Sequence, residues 1–118
     1  MSKEILIEGE VVSGKKLGRN LGFPTVNIVY KGDFEGVFVG EIILERKQMP
    51  AAVFIGKGLL EVYILDWSGE ICEREKISVK LLKKIRDIKK FENYEDLKSE
   101  ISKDVEFVKN WYNRMGNN

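Results

Sequence analysis

The sequence predicts a mainly β protein, a six-stranded barrel with one C-terminal helix, and three observations carry that expectation. Short apolar segments recur along the first two thirds of the chain, glycine-bearing turns separate them, and the last quarter switches to helical spacing. The 118 residues, 43% of them hydrophobic, supply material for one core and too little for two, so a single domain over residues 1–118 is expected.

The first strand is read at residues 5–12, where Ile7, Gly9 and Val11 alternate with Glu8 and Glu10 as on a half-buried sheet. A basic, glycine-rich loop follows through Gly22. Pro24 opens an extended segment to residue 30, and Lys31-Gly32-Asp33 supplies a turn before a strand at 37–44. Further strands are expected at 51–55, 61–67 and 76–82, separated by Gly56-Lys57-Gly58 and Ser68-Gly69. The run from Lys83 to Lys90 reads as a solvated connector, and Cys72 as a small strand residue. Leu97, Ile101, Val105, Val108 and Tyr112 then recur at helical spacing, with Phe107 and Trp111 extending the packed face. Asn93 is the expected N-cap and Gly116 the terminator.

Composition narrows the chemistry. Twenty basic residues against nineteen acidic ones leave a formal charge of +1, which argues against a nucleic-acid or membrane partner and makes any phosphate binding local. No apolar run approaches the roughly 20 residues of a membrane helix. A lone Cys72 cannot form an intrachain disulfide, and a cytoplasmic monomer is expected. With no histidine, catalysis must use carboxylates or backbone amides.

Three constellations stand out. The segment from Gly14 to Asn27 places Gly14, Lys15, Lys16, Gly18, Arg19 and Gly22 ahead of Thr25 and Asn27; backbone N–H groups of such a turn form an anion-binding concavity, to which the cations add charge-assisted contacts. The spacing is neither a Walker A motif nor a dinucleotide fingerprint. Thr25 and Asn27, two apart on an expected strand, would share one face and offer hard oxygen donors to Mg²⁺ that takes its other ligands from water and nucleotide phosphates. Glu61, in an otherwise mostly apolar strand, is a candidate general base. Each has a plainer reading: a basic surface loop, ordinary polar strand residues, a solvated strand-end glutamate. Asp33 and Asp66 read as turn-flanking residues, and Trp67 and Trp111 as core or rim packing.

Taken in order, Gly9-Glu10-Val11-Val12-Ser13-Gly14, Leu17-Gly18-Arg19-Asn20-Leu21-Gly22-Phe23-Pro24-Thr25-Val26-Asn27-Ile28 and Gly36-Val37-Phe38 resemble the riboflavin kinase family. The strand from Glu61 to Trp67 resembles the family strand bearing its catalytic glutamate, and Ile85-Arg86-Asp87-Ile88-Lys89-Lys90-Phe91 resembles its second flap. The resemblance covers nearly the whole chain. It implies a Greek-key barrel, Mg²⁺ held by Thr25 and Asn27, phosphates held by the loop from Gly14 to Gly22, Glu61 acting on the ribityl 5′-hydroxyl, and Arg86 near the flavin. Riboflavin, FMN and a nucleotide, with ATP as the expected donor, are the implied ligands. The chain departs from the family in the short connection from Lys57 to Leu60, in Cys72-Glu73 where Tyr-Gly is common, and in Ile88 where the flap carries glutamate. In the bacterial family the domain often follows an adenylyltransferase, for which 118 residues leave no room. A non-catalytic flavin- or nucleotide-binding module of the same fold is the alternative, and an RNA-binding barrel using residues 83–90 a weaker one.

Overall fold

The protein is described here by a computed structural model, in which residues 5–13 and 22–116 are placed. Six strands, β1 (Ile5–Val12), β2 (Val26–Val29), β3 (Gly36–Leu44), β4 (Lys47–Gly56), β5 (Leu59–Ile64) and β6 (Lys76–Arg86), precede helix α1 (Tyr94–Gly116). They close into an antiparallel barrel in the order β1-β2-β5-β4-β3-β6. Strands β3, β4 and β5 follow one another through hairpins and β6 returns beside β3, which is the Greek-key arrangement that the resemblance implies.

Strand alternation sorts the side chains. Ile28, Phe38, Ile42, Val53, Leu60, Val62 and Val79 fill the barrel interior, most of them without exposed surface. The opposite faces of β3 and β4 carry Val39 and Ala52, and Leu65 follows β5; all three would face water without a cover. Helix α1 is that cover: Ile101, Val105 and Val108 pack onto this outer face and complete a second apolar cluster. Asn93 caps the helix as expected, its Oδ1 accepting the Asp96 N–H at 2.8 Å while its amide donates to the Asp96 carboxylate at 3.2 Å.

The strands differ from expectation mainly at their ends. The β3–β4 hairpin closes through Glu45 and Arg46 at φ of 50° and 71°, and the β4–β5 hairpin through Lys57 and Gly58 at 52° and 78°. Two successive positive φ values match the right-handed twist of the flanking strands. Lys57-Gly58 thus begins β5 at Leu59 rather than Glu61. Glu45-Arg46 carries no turn-forming residue, so the start of β4 is invisible to a composition-based reading. Pro50 does not interrupt β4, because its carbonyl still accepts the Leu65 N–H at 3.0 Å. Residues 83–86, expected in a connector, instead extend β6. Cys72 lies exposed in the β5–β6 connection rather than in a strand. Asp66 and Asp33 do flank turns, and Trp67 and Trp111 are partly buried against the inner and outer clusters respectively.

Candidate active site

Because Leu60, Val62 and Ile64 point into the barrel, Glu61 and Tyr63 must point out. Pairing register then fixes the neighbours of Glu61: Asn27 on β2 to one side and Phe54 on β4 to the other. Phe54 opposes Val37 on β3, and Val37 opposes Arg86 on β6. One lateral row across five adjacent strands, each about 4.8 Å from the next, therefore carries Asn27, Glu61, Phe54, Val37 and Arg86.

Arg86 joins this row only because the β3–β6 ladder is irregular. Gly40 pairs with Leu81, Val39 with Lys83, Phe38 with Lys84 and Val37 with Arg86, so β6 gains a residue at each of two register shifts. An unbroken ladder would have set Lys84 opposite Val37. Bulges of this kind re-aim side chains beside functional sites. Gly36 fits the same corner: at φ 133° it lets the backbone approach so closely that a Cβ would lie 2.7 Å from the Arg86 carbonyl oxygen.

A cavity of about 200 Å³ opens along the row, with Thr25, Phe54, Glu61 and Arg86 in its wall together with Phe23, Ile88 and Phe91. Phe23 is braced edge-to-face by Tyr63, ring centres 5.4 Å apart. Ile88 lies beside Gly56, where a Cβ would come within 3.5 Å of its Cγ1. A larger groove of about 540 Å³ lies elsewhere, between Phe34, Phe38 and Lys83, and Thr25, Asn27, Glu61 and Arg86 all lie outside it.

The polar groups of the row are unusually constrained. Asn27 is 6% exposed, and its buried side-chain oxygen has no hydrogen-bond partner among the described residues. Such an orphan costs about 1–3 kcal/mol and calls for a ligand or a function. Arg86 is held on two edges: Nε donates to Asp104 Oδ1 at 2.9 Å and Nη2 to Oδ2 at 2.7 Å, while Nη1 donates to the Asp87 carbonyl at 3.0 Å. Glu100 adds an oxygen 3.6 Å from Nε. Burial pushes the Asp104 carboxyl above its ordinary range, with the guanidinium pulling the other way.

The structure thus brings together Thr25, Asn27, Glu61 and Arg86, with two adjustments. Thr25 precedes β2 rather than lying on it, and Arg86 ends a strand rather than riding on a free connector. Gly22 is exposed at φ 91°, a conformation suited to glycine. Gly14, Lys15, Lys16, Gly18 and Arg19 fall outside the described residues. Asp104 was missed. Its signal was a charge at helix position 104, between Ile101 and Val105, on the face expected to be apolar.

A family profile described as riboflavin kinase matches residues 1–112. The chain is 35% identical over 125 residues to the bifunctional riboflavin kinase/FMN adenylyltransferase of Haemophilus influenzae, a match covering 96% of this chain and 40% of that one. It is also 35% identical over 123 residues to the RNA-binding riboflavin kinase RibR of Bacillus subtilis, covering 94% and 53%. Among solved structures, the riboflavin kinase of Trypanosoma brucei aligns with a TM-score of 0.65 at 25% identity, over 93% of this chain and 80% of that one. The chain spans about 40% of the length of the bifunctional relative from Haemophilus influenzae. A match running from the first residue through most of helix α1, over the barrel whose outer face carries Asn27, Glu61 and Arg86, means that the chain belongs to the riboflavin kinase family.

Proposed function

We propose that this protein transfers the terminal phosphoryl group of a nucleoside triphosphate, ATP in the first instance, to the 5′-hydroxyl of riboflavin, yielding FMN. The observation that carries the reading is the direct cross-strand pairing of Asn27 with Glu61, which lines the cavity: a carboxylate beside a buried amide oxygen that lacks a partner among the described residues.

Phosphoryl transfer asks the protein mainly for positioning and charge stabilisation. Glu61 accepts the proton of the attacking hydroxyl and orients it. Phe23, Phe54 and Phe91 give the cavity apolar walls for a flat heterocycle and limit access of water to the reacting oxygen. At about 200 Å³ the cavity is below the ~300–1,000 Å³ usual for ligand sites, so flavin entry displaces Ile88 and the exposed residues beside it. Gly14, Lys15, Lys16, Gly18, Arg19, Gly22 and Thr25 are assigned to the nucleotide phosphates from sequence.

The residues present suit Mg²⁺. Among the described residues no three of His, Cys, Asp and Glu gather as a donor set, whereas the Asn27 oxygen is desolvated and unpartnered and Thr25 adds a hydroxyl two residues away. Thr25 and Asn27 would hold the ion, which when bound neutralises phosphate charge. Nothing in this scheme requires histidine. Barrel and helix act as one catalytic unit, a cytoplasmic monomer on this reading; no described helix is long and apolar enough to cross a membrane.

The test supplies purified protein with riboflavin, Mg²⁺ and ATP, CTP or GTP in separate reactions and resolves FMN by chromatography. FMN from at least one donor, abolished by EDTA, is expected. Flavin binding without FMN under every donor would replace the kinase with a binding module of the same fold.

A further inference from the structure

Resting on the kinase reading above, we propose that Asp104 is a positioning residue for phosphoryl transfer, acting from helix α1 through Arg86. Asp104 is the buried acid among the described residues, at 2% exposure. A buried ion pair is a poor device for stability alone, since desolvation of both charges offsets their attraction and apolar replacements often serve as well. The pair coincides here with three other features that converge on Arg86. Two bulges bring Arg86 rather than Lys84 into the row with Glu61, Gly36 makes room for its backbone, and Arg86 lines the cavity.

The geometry explains what Asp104 supplies. Its two oxygens take the Nε and Nη2 edge of a planar, rigid fork, and the Asp87 carbonyl takes one N–H of Nη1. Three of the five guanidinium N–H groups are thereby committed, and the two that remain are fixed in direction. In the cavity those donors meet an oxyanion, and the one that this reaction creates beside the flavin is the phosphate of FMN. Glu100, 3.6 Å from Nε and 3.4 Å from Lys89 Nζ, limits sideways movement of the same group. The helix thus contributes to the reaction without touching substrate.

The experiment compares wild type with Asp104→Asn, Arg86→Lys and the pair, reading kcat, KM for riboflavin, thermal midpoint, and dissociation constants for riboflavin and FMN from flavin fluorescence. Asp104→Asn should lower kcat about 10- to 100-fold, the scale of a small misplacement. It should weaken FMN binding by a similar factor and leave riboflavin binding within about twofold. Arg86→Lys should cost as much, and adding Asp104→Asn to it little more, because both act through one group. A second swap, Arg86→Met with Asp104→Leu, separates folding from positioning: it should keep or raise the thermal midpoint and remain impaired. Additive losses in the Lys/Asn pair, equal weakening of both flavins, or recovered turnover in the Met/Leu pair would each overturn the proposal. An inactive wild type would instead remove the kinase reading itself.

Discussion

Leu60 and Glu61 are neighbours on β5, yet they sit in regions governed by different physics. Leu60 faces the barrel interior, where it pairs with Ile28 on one side and Ile55 on the other and every residue of the cluster is apolar. Glu61 faces the outer groove, where each side chain on the row has a cross-strand partner of different chemistry. Inside, any apolar residue of the right volume serves, because dispersion and burial are non-directional. Outside, identity and angle both matter, so the fold supplies special devices: a capped helix, two bulges, a glycine at a close approach and a buried ion pair. One sheet, by alternating its side chains, separates holding the molecule together from doing chemistry.

Substituting the two neighbours breaks that division in opposite ways. Glu61→Gln should lower kcat about 10²- to 10⁴-fold, a barrier increase of about 3–5 kcal/mol, with a thermal midpoint close to wild type. Leu60→Ala should do the reverse, costing about 2–5 kcal/mol of stability by leaving a cavity among rigid neighbours, while kcat per folded molecule stays near wild type. Stopped-time FMN assays and urea melts on the same preparations check both. A Glu61→Gln variant that melts early while keeping its turnover would dissolve the distinction.

The same comparison explains what was legible in the sequence. Interior residues announce themselves by alternation, so β1 and the middle of every other strand were readable, as was the helix, whose cap and periodicity are local. Thr25, Asn27 and Glu61 stand out as candidates because they are polar residues in apolar surroundings and because the motif from Leu17 to Asn27 is specific. The devices that aim Arg86 were not readable. A bulge is a mismatch between two strands about 45 residues apart in the chain, and no local pattern encodes it. The Glu45-Arg46 turn was hidden for a related reason, since tertiary pairing of β3 with β4 forces positive φ on residues without that preference. Asp104 lay in plain view on the buried face of its helix, but only the position of Arg86 gives it meaning.

The smallest expected effect probes the seam where helix and barrel meet, away from the cavity. Tyr112 donates its hydroxyl to the Gly40 carbonyl at 2.6 Å and packs edge-to-face on Trp111 at 5.1 Å. Tyr112→Phe keeps the ring and deletes one hydrogen bond, so about 1 kcal/mol of stability should be lost at neutral pH with turnover unchanged. Burial, and then the negative charge of Glu41, hold the phenol protonated above its ordinary value of 10.0. A group whose folded pKa is raised contributes its full stability below the unfolded value and loses it as pH rises toward the folded one. The gap between wild type and Tyr112→Phe should therefore be constant up to about pH 9 and shrink above pH 10, as the unfolded wild-type chain begins to ionise while phenylalanine does not. Urea midpoints for both proteins at pH 7, 9 and 10.5 read this directly. A gap that stays constant through the alkaline range would mean that the hydroxyl titrates as freely in the folded protein as in the unfolded chain.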